Sequence, residues 1–442
     1  MSTTQLRREL GKKELFGIAI GQVIGAGIMA LVGYGIAMTG RSVNLAMALS
    51  AVWVILLSIP WIFISSCVRL RGGEYTQAAV LCGEKFAGIY IAIYLVRNLQ
   101  MAVYTLSFTS YFISLVPGAN NLVVSLLVAT FFFGLNIFPT KFMASIQNAM
   151  VIVLCLALGA FIVYGMPQVQ PGYFTRPGMF THGAGGFLAA SAFMTFATFG
   201  ANSIFQLSGE CKNPKTDIPF VLISATMFVA IVYAFVASVA AGVLPLEEVA
   251  GQNLAKVAET ILSRPMYLVF IIGGALGALA TSLNATIAWV TKPLLQACDD
   301  GWFPQKLGYL HPKYKTPVIL IGIYYVLTII PILLGIDMDK ITNSVLVCMY
   351  LCMMITSVAT IRLPKLFPDE WNRSPFKCGQ GTLTFLCGVA TVVLAIQVYY
   401  NAMLLSKPIL LANIGLLSAA ILYALLRHRS GSVKMNISYE ED

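Results

Sequence analysis

An apolar run long enough to cross a bilayer has little use for glycine, yet GIAIGQVIGAGIMALVGYGIAMT at 17–39 carries Gly21, Gly25 and Gly27 in its first half. A continuous spanning helix satisfies its own backbone, and each interior glycine weakens it. The spacing therefore predicts a break at Ile24–Gly25–Ala26–Gly27, where freed N–H and C=O groups face a protein-lined cavity. One half-helix ends there and the next begins, so two dipole ends meet in one space. Exposed N–H groups suit a carboxylate, and exposed carbonyls suit an ammonium. The same glycines also read as a small-xxx-small packing face through Gly21 and Gly25. The sequence leaves both readings open.

A second run, FLAASAFMTFATFGANSIFQLS at 187–208, sets Gly200 and Asn202 behind Phe193, Phe196 and Phe199. Taken singly, each phenylalanine reads as well as packing or lipid-facing bulk. Taken with the first run, it gives two interrupted apolar segments at corresponding positions, the pattern of a solute site near mid-membrane. Other chemistry is sparse. Arg97, in IYLVRNLQMAVYT, sits near the middle of a third apolar run, where a charge costs several kcal/mol unless it faces protein or water. No Asp or Glu is expected at that depth to pair with it. His182, His311 and His428 fall between apolar runs, so no metal or catalytic role is inferred for them. The nine cysteines show neither disulfide-framework nor zinc spacing. The apolar runs hold no buried nucleophile, carboxylate pair or metal cluster, so neither an enzyme nor a bound metal or cofactor is expected.

The elements that position these groups follow from composition. The chain is 58% hydrophobic and 10% charged, with mean hydropathy +0.82. Soluble domains carry about 25% charged residues, so this is an all-α polytopic membrane protein. After the opening span, further spans are expected near 44–66, 86–114, 121–138, 146–165, 187–208, 218–243, 266–297, 317–334, 341–361, 382–401 and 408–427, twelve in all. With the N-terminus inside, only Arg41, Arg176, Lys256, Arg264, Lys340 and Lys407 fall in outer loops, as the positive-inside rule predicts for this orientation. Both termini are then cytoplasmic. The net charge of +10 reads as topology and not as nucleic-acid binding. The charged start (Arg7, Arg8, Lys12, Lys13) runs into a full-length span, so no cleavable leader is expected. The segment 244–265 reads as an amphipathic cover over the outer mouth. A single transmembrane domain is expected over 1–427, followed by a tail at 428–442.

Four motifs carry a family resemblance. GQVIGAGIM at 21–29 resembles the first-helix motif of the amino acid–polyamine–organocation (APC) transporters. GECKNPKTDIP at 209–219 is similar to the loop that closes their sixth helix, and RGGEYTQA at 71–78 to their second-to-third loop. ATSLNATIAWVTKPLLQACDDGWFPQKLGYLHPKYKTPV at 280–318, the most specific match, resembles their eighth helix and the loop after it. The resemblance implies a LeuT-type fold, with inverted repeats at about 14–165 and 187–361 and two extra helices at about 382–427. It implies amino acids or their amine derivatives as substrates. The N–H groups of Ala26, Gly27 and Ile28, beside Gly25, would then take the α-carboxylate. Carbonyls near Val23, Ile24, Phe196, Ala197 and Phe199 would take the α-ammonium. Phe196 falls where relatives place the aromatic lid, Gly200 and Asn202 would shape the side-chain pocket, and Asn98 matches a position that faces the site.

Two departures from the family stand out. Where many cation-independent relatives carry a fifth-helix lysine, this chain has Leu154, and where relatives have a small residue in the third helix it has Arg97. Arg97 reads in three ways: it selects anionic or polar substrates, it replaces the missing fixed charge, or it is structural. Thr281 and Ser282 match hydroxyl ligands of sodium-coupled relatives, and Thr281 also reads as part of a small packing face with Gly273 and Gly277. Proton coupling lacks a mid-span carboxylate or histidine. Glu210, Lys212, Lys215 and Asp217 are expected to cluster with the Arg69–Arg71 loop and Asp299–Asp300 as an inner gate, or else as a solvated face. The expected activity is cation-independent exchange or facilitated transport of amino acids across the cell membrane, with sodium symport as the alternative. The partners are the substrate, the lipid bilayer and, under the symport alternative, sodium. Neither the particular substrate nor the oligomeric state is legible.

Overall fold

The structure, a computed structural model, describes residues 10–70, 73–138, 141–435 and 439–440; Arg71 and the side chains of Ala26, Lys141 and Glu210 lie outside the described residues. The first span is two helices, α1 (Lys12–Val23) and α2 (Ala26–Thr39), inclined at 46° across the joint. The second is α3 (Val43–Leu57) and α4 (Ile59–Cys67), joined at Ser58 where Pro60 has no N–H to return to the preceding turn. A two-residue strand, β1 (Arg69–Leu70), leads into α5 (Gly73–Cys82). The third span divides at Asn98–Leu99 into α6 (Glu84–Arg97) and α7 (Gln100–Leu115). Then come α8 (Asn121–Leu135), α9 (Lys141–Gly165) and α10 (Gly183–Thr198), which tightens into a 3₁₀ segment at Phe199–Glu210.

The second half opens with the long α11 (Pro214–Gly242) and the short α12 (Leu246–Val249) and α13 (Ala255–Ile261). Next, α14 (Arg264–Leu268) passes through a π-helical stretch at Val269–Leu276 into α15 (Gly277–Asp299). They are followed by α16 (Val318–Leu333), α17 (Met338–Thr360), the short α18 (Leu363–Leu366) and α19 (Pro368–Arg373), α20 (Gln380–Met403) and α21 (Lys407–Arg429). A last strand, β2 (Tyr439–Glu440), pairs antiparallel with β1.

Among the described residues, nine helical spans are long and apolar enough to cross a membrane, and the bent α1–α2 pair makes a tenth. The expected twelve would need α8 and α16 as well. These apolar helices have 15 and 16 residues, about 23–24 Å at 1.5 Å per residue, short of the roughly 30 Å hydrocarbon core. The segment at 73–82, expected within a loop, is instead a helix buried along almost its whole length.

α17 is the centre of the bundle, with 78% of its apolar window buried, whereas α21 at 17% is peripheral. Large apolar side chains such as Leu127, Phe131, Leu156, Ile231 and Phe385 stand exposed on the outside, as hydrocarbon permits and water does not. α2 packs on α10, α10 and α11 pack on α3, and α1 lies against α11 and the 3₁₀ segment. The first and sixth spans thus cross at the core, which is what positions the site.

Candidate functional site

The helix ends at Val23 and restarts at Ala26, with Ile24 (φ −76°, ψ 95°) and Gly25 (φ −165°, ψ −136°) extended between. α2 starts at Gly25, which has no side chain to cap it, so the first N–H groups of a 14-residue helix lack the usual N-cap acceptor. The glycines do the fitting. A Cβ on Gly27 would lie 2.3 Å from Ala197 Cα, and one on Gly200 would lie 2.4 Å from the Gln22 carbonyl oxygen and 2.7 Å from Val23 Cα. Each break admits the other's backbone. A Cβ on Gly25 would lie 2.7 Å from Ser282 Oγ, which brings α15 to the same joint. Gly21 meets only Val151, at 3.2 Å. Close backbone packing thus falls at Gly27 and Gly200 and not along a Gly21–Gly25 face, and it brings the two interrupted helices together.

Two tyrosines hold the half-helices. Tyr233 of α11 donates its hydroxyl to the Val23 carbonyl (2.7 Å), and Tyr111 of α7 donates to the Met29 carbonyl (2.7 Å) while accepting the Leu254 N–H (3.1 Å). Both are fully buried. Sequence reasoning missed them, and the signal was slight: a phenol in an apolar run needs a polar partner somewhere. Ile24, Ile28 and Ala197 are buried around the joint.

The phenylalanines point to different neighbours. Phe196 is half-buried with its ring 6.2 Å from Tyr104, Phe193 is buried beside Tyr34 at 6.3 Å, and Phe199 lies between Trp61 (5.6 Å) and Tyr350 (6.3 Å). Asn202 Oδ1 lies 3.0 Å from the Ser58 hydroxyl, while its Nδ2 is buried without a partner among the described residues. Asn98 is fully buried in the α6–α7 turn, donating to the Tyr94 carbonyl (2.7 Å) and accepting from Gln100 Nε2 (3.3 Å). Thr281 spends its hydroxyl on the Ala278 carbonyl (2.9 Å). Leu154 is core.

Arg97 corrects an expectation. It has an acidic partner: both guanidinium nitrogens reach Glu74, with Nη2 to Oε1 at 3.1 Å. Nη1 also donates to the Tyr90 hydroxyl (2.9 Å), Tyr90 donates to Glu74, and the guanidinium carbon sits 5.8 Å from the Tyr94 ring centre. The acid was invisible as a mid-span residue because it arrives from α5, a helix outside the apolar runs. Removing one partner of such a buried pair costs about 3–5 kcal/mol, since the other is left charged and desolvated. Together they present no net charge, so Arg97 as paired here supplies no free positive charge.

At the basic end of the bundle the connecting segments are tied to one another and to α5. Arg69 Nη1 donates to the Cys211 carbonyl (2.8 Å), the Lys212 N–H donates to the Leu10 carbonyl (2.8 Å), Lys12 lies 3.7 Å from Asp217, and Tyr75 donates to Asp300 (2.8 Å). At the opposite end, 244–265 folds as the two short helices α12 and α13. The turn between them lies on α2 so closely that a Cβ on Gly33 would sit 1.9 Å from the Gln252 carbonyl oxygen. A cavity of about 440 Å³ opens on that side, lined by Tyr34, Leu106, Ser110, Asn121 and Asp337 among others.

Residues 10–422 match the family described as amino acid permease. The chain is 28% identical over 402 residues to the branched-chain amino acid permease BcaP of Bacillus subtilis (strain 168), covering 84% of each protein. It is 23% identical over 375 residues to the serine/threonine exchanger SteT of the same organism, covering 83% of this chain and 85% of SteT. It is also 24% identical to that organism's methylthioribose transporter, over 71% of this chain and 72% of the relative.

Proposed function

Since the chain belongs to the amino acid permease family, we propose that it carries amino acids with net-neutral side chains, or their derivatives, across the cell membrane by alternating access. The observation that carries this is the crossing of the two interrupted helices, where Gly27 seats Ala197 and Gly200 seats Gln22 and Val23. A substrate carboxylate on the uncapped start of α2, over Ala26, Gly27 and Ile28, meets N–H groups and the positive end of a helix dipole. Carbonyls of Val23, Ile24, Phe196, Ala197 and Phe199 take the ammonium, with Phe196 closing over the substrate. Gly200 and Asn202 shape the side-chain pocket, and Asn98 borders it. The bundle is read as twelve spans, two inverted five-span repeats plus α20 and α21, with both termini cytoplasmic and the basic end inside. The contacts of Arg69 with Cys211 and of Tyr75 with Asp300 then hold the inner gate.

The substrates named for BcaP and SteT, branched-chain amino acids and serine or threonine, have uncharged side chains, which supports the substrate class. That SteT is an exchanger supports exchange or facilitated passage as the mode. Sodium symport is the second reading, favoured by Ser282 beside the Gly25 joint, where a hydroxyl and freed carbonyls could share an ion with Thr281. The test is uptake of a labelled amino acid panel into proteoliposomes, with and without internal substrate and with sodium or choline outside. Uptake that requires internal substrate and ignores sodium supports exchange. Uptake into empty vesicles that follows the sodium gradient replaces it with symport. No uptake of any amino acid sinks both.

A further inference from the structure

The Glu74–Arg97 pair takes no part in the transport reading above, and it calls for a reason. Well-packed apolar side chains of the same volume stabilise a core as well as a buried ion pair or better, so burial of two charges is poorly explained by stability alone. Its surroundings point to the site. α5, which carries Glu74, packs on α6, on α17 and on the 3₁₀ segment that follows Phe199. Tyr350 of α17 touches the ring of Phe199 (6.3 Å) and donates to Thr195 (2.6 Å), while its neighbours Cys348 and Cys352 pack in one cluster with Tyr90 and Tyr94. The pair is thus joined to the broken sixth span through α17 and lies next to Asn98 in the α6–α7 turn. In the same cluster the hydroxyls of Tyr94 and Tyr324 are buried without partners among the described residues. The Arg97 side chain keeps 11% exposure.

We propose that Glu74 sets the charge selectivity of this transporter. It is a positioning residue. By holding the Arg97 guanidinium it turns a full positive charge beside the site into a neutral pair, so anionic side chains find no counter-charge and cationic ones meet no free carboxylate. The inference rests on the transport reading and on its central site. Without Glu74, the charge of Arg97 would go uncompensated and would favour an anionic side chain in the neighbouring site.

The experiment is competition against labelled leucine uptake in proteoliposomes of the full-length protein, with glutamate and lysine as competitors. Glu74→Gln keeps a hydrogen-bonding side chain on Arg97 and is expected to improve glutamate relative to unlabelled leucine by about tenfold, one favourable charge contact. Arg97→Gln is expected to move lysine the same way and to leave glutamate weak. The double variant E74Q/R97Q is expected to restore the wild-type order. A role in folding alone would not move these ratios in opposite directions. A folded E74Q that still takes up leucine with unchanged competitor ratios overturns the proposal. So does loss of folding in both single variants with recovery in the double one, since the pair would then be structural only. If the wild-type protein moves no amino acid, the transport reading itself fails, and this inference falls with it.

Discussion

Gly200→Ala isolates the crossing of the two broken helices, because it adds one methyl group where only backbone can receive it. The new Cβ would lie 2.4 Å from the Gln22 carbonyl oxygen, 2.6 Å from its carbon and 2.7 Å from Val23 Cα. Ordinary contact begins near 3.4 Å, so the 3₁₀ segment and α1 must part by about 1 Å. No side-chain rotation can relieve the clash, which places the penalty toward the upper part of the roughly 1–3 kcal/mol range for overpacked cores. If the parted helices are also those that bind, 2–3 kcal/mol lowers substrate affinity by about 30- to 150-fold. Gly17→Ala is the control, since nothing lies within 4 Å of its added Cβ and a helix-interior alanine gains about 0.5–1 kcal/mol. Thermal melting in detergent and concentration-dependent uptake read both effects. A Gly200→Ala protein that melts and transports like wild type, or a Gly17→Ala protein equally impaired, would refute the reasoning.

Other outcomes follow from the same geometry. Tyr111→Phe removes a second donor to the Met29 carbonyl and the acceptor of the Leu254 N–H, leaving that buried N–H unpaired, so melting should report a loss of about 1–3 kcal/mol; an unchanged midpoint would mean that water replaces the hydroxyl. Ser282→Ala should leave uptake in choline and in sodium equal under the exchange reading, whereas a selective loss of sodium-stimulated uptake would transfer the argument to symport.

What the sequence disclosed and what it hid divide along physical lines. Composition and charge placement make the chain polytopic because bilayer hydrocarbon tolerates little else, and α2 and α10 were legible through glycines that a continuous span would not carry. The joints at Ser58 and Asn98–Leu99 were not. The first turns on Pro60 alone, and the second has neither glycine nor proline within the turn to announce it. The hardest feature to see was α5. Its sequence, GEYTQAAVLC, is too polar for a span, so it reads as a loop, yet it is buried because its polar groups have partners across the chain, Glu74 with Arg97 and Tyr75 with Asp300. One deduction was available even so. An arginine near mid-span needs an acid, a carbonyl or a cavity, and with no acid in any span an acidic partner has to come from a connecting segment. An unpaired intramembrane charge in a sequence is therefore a reason to expect that one loop folds inward, and here that loop carries the residue to which charge selectivity is assigned.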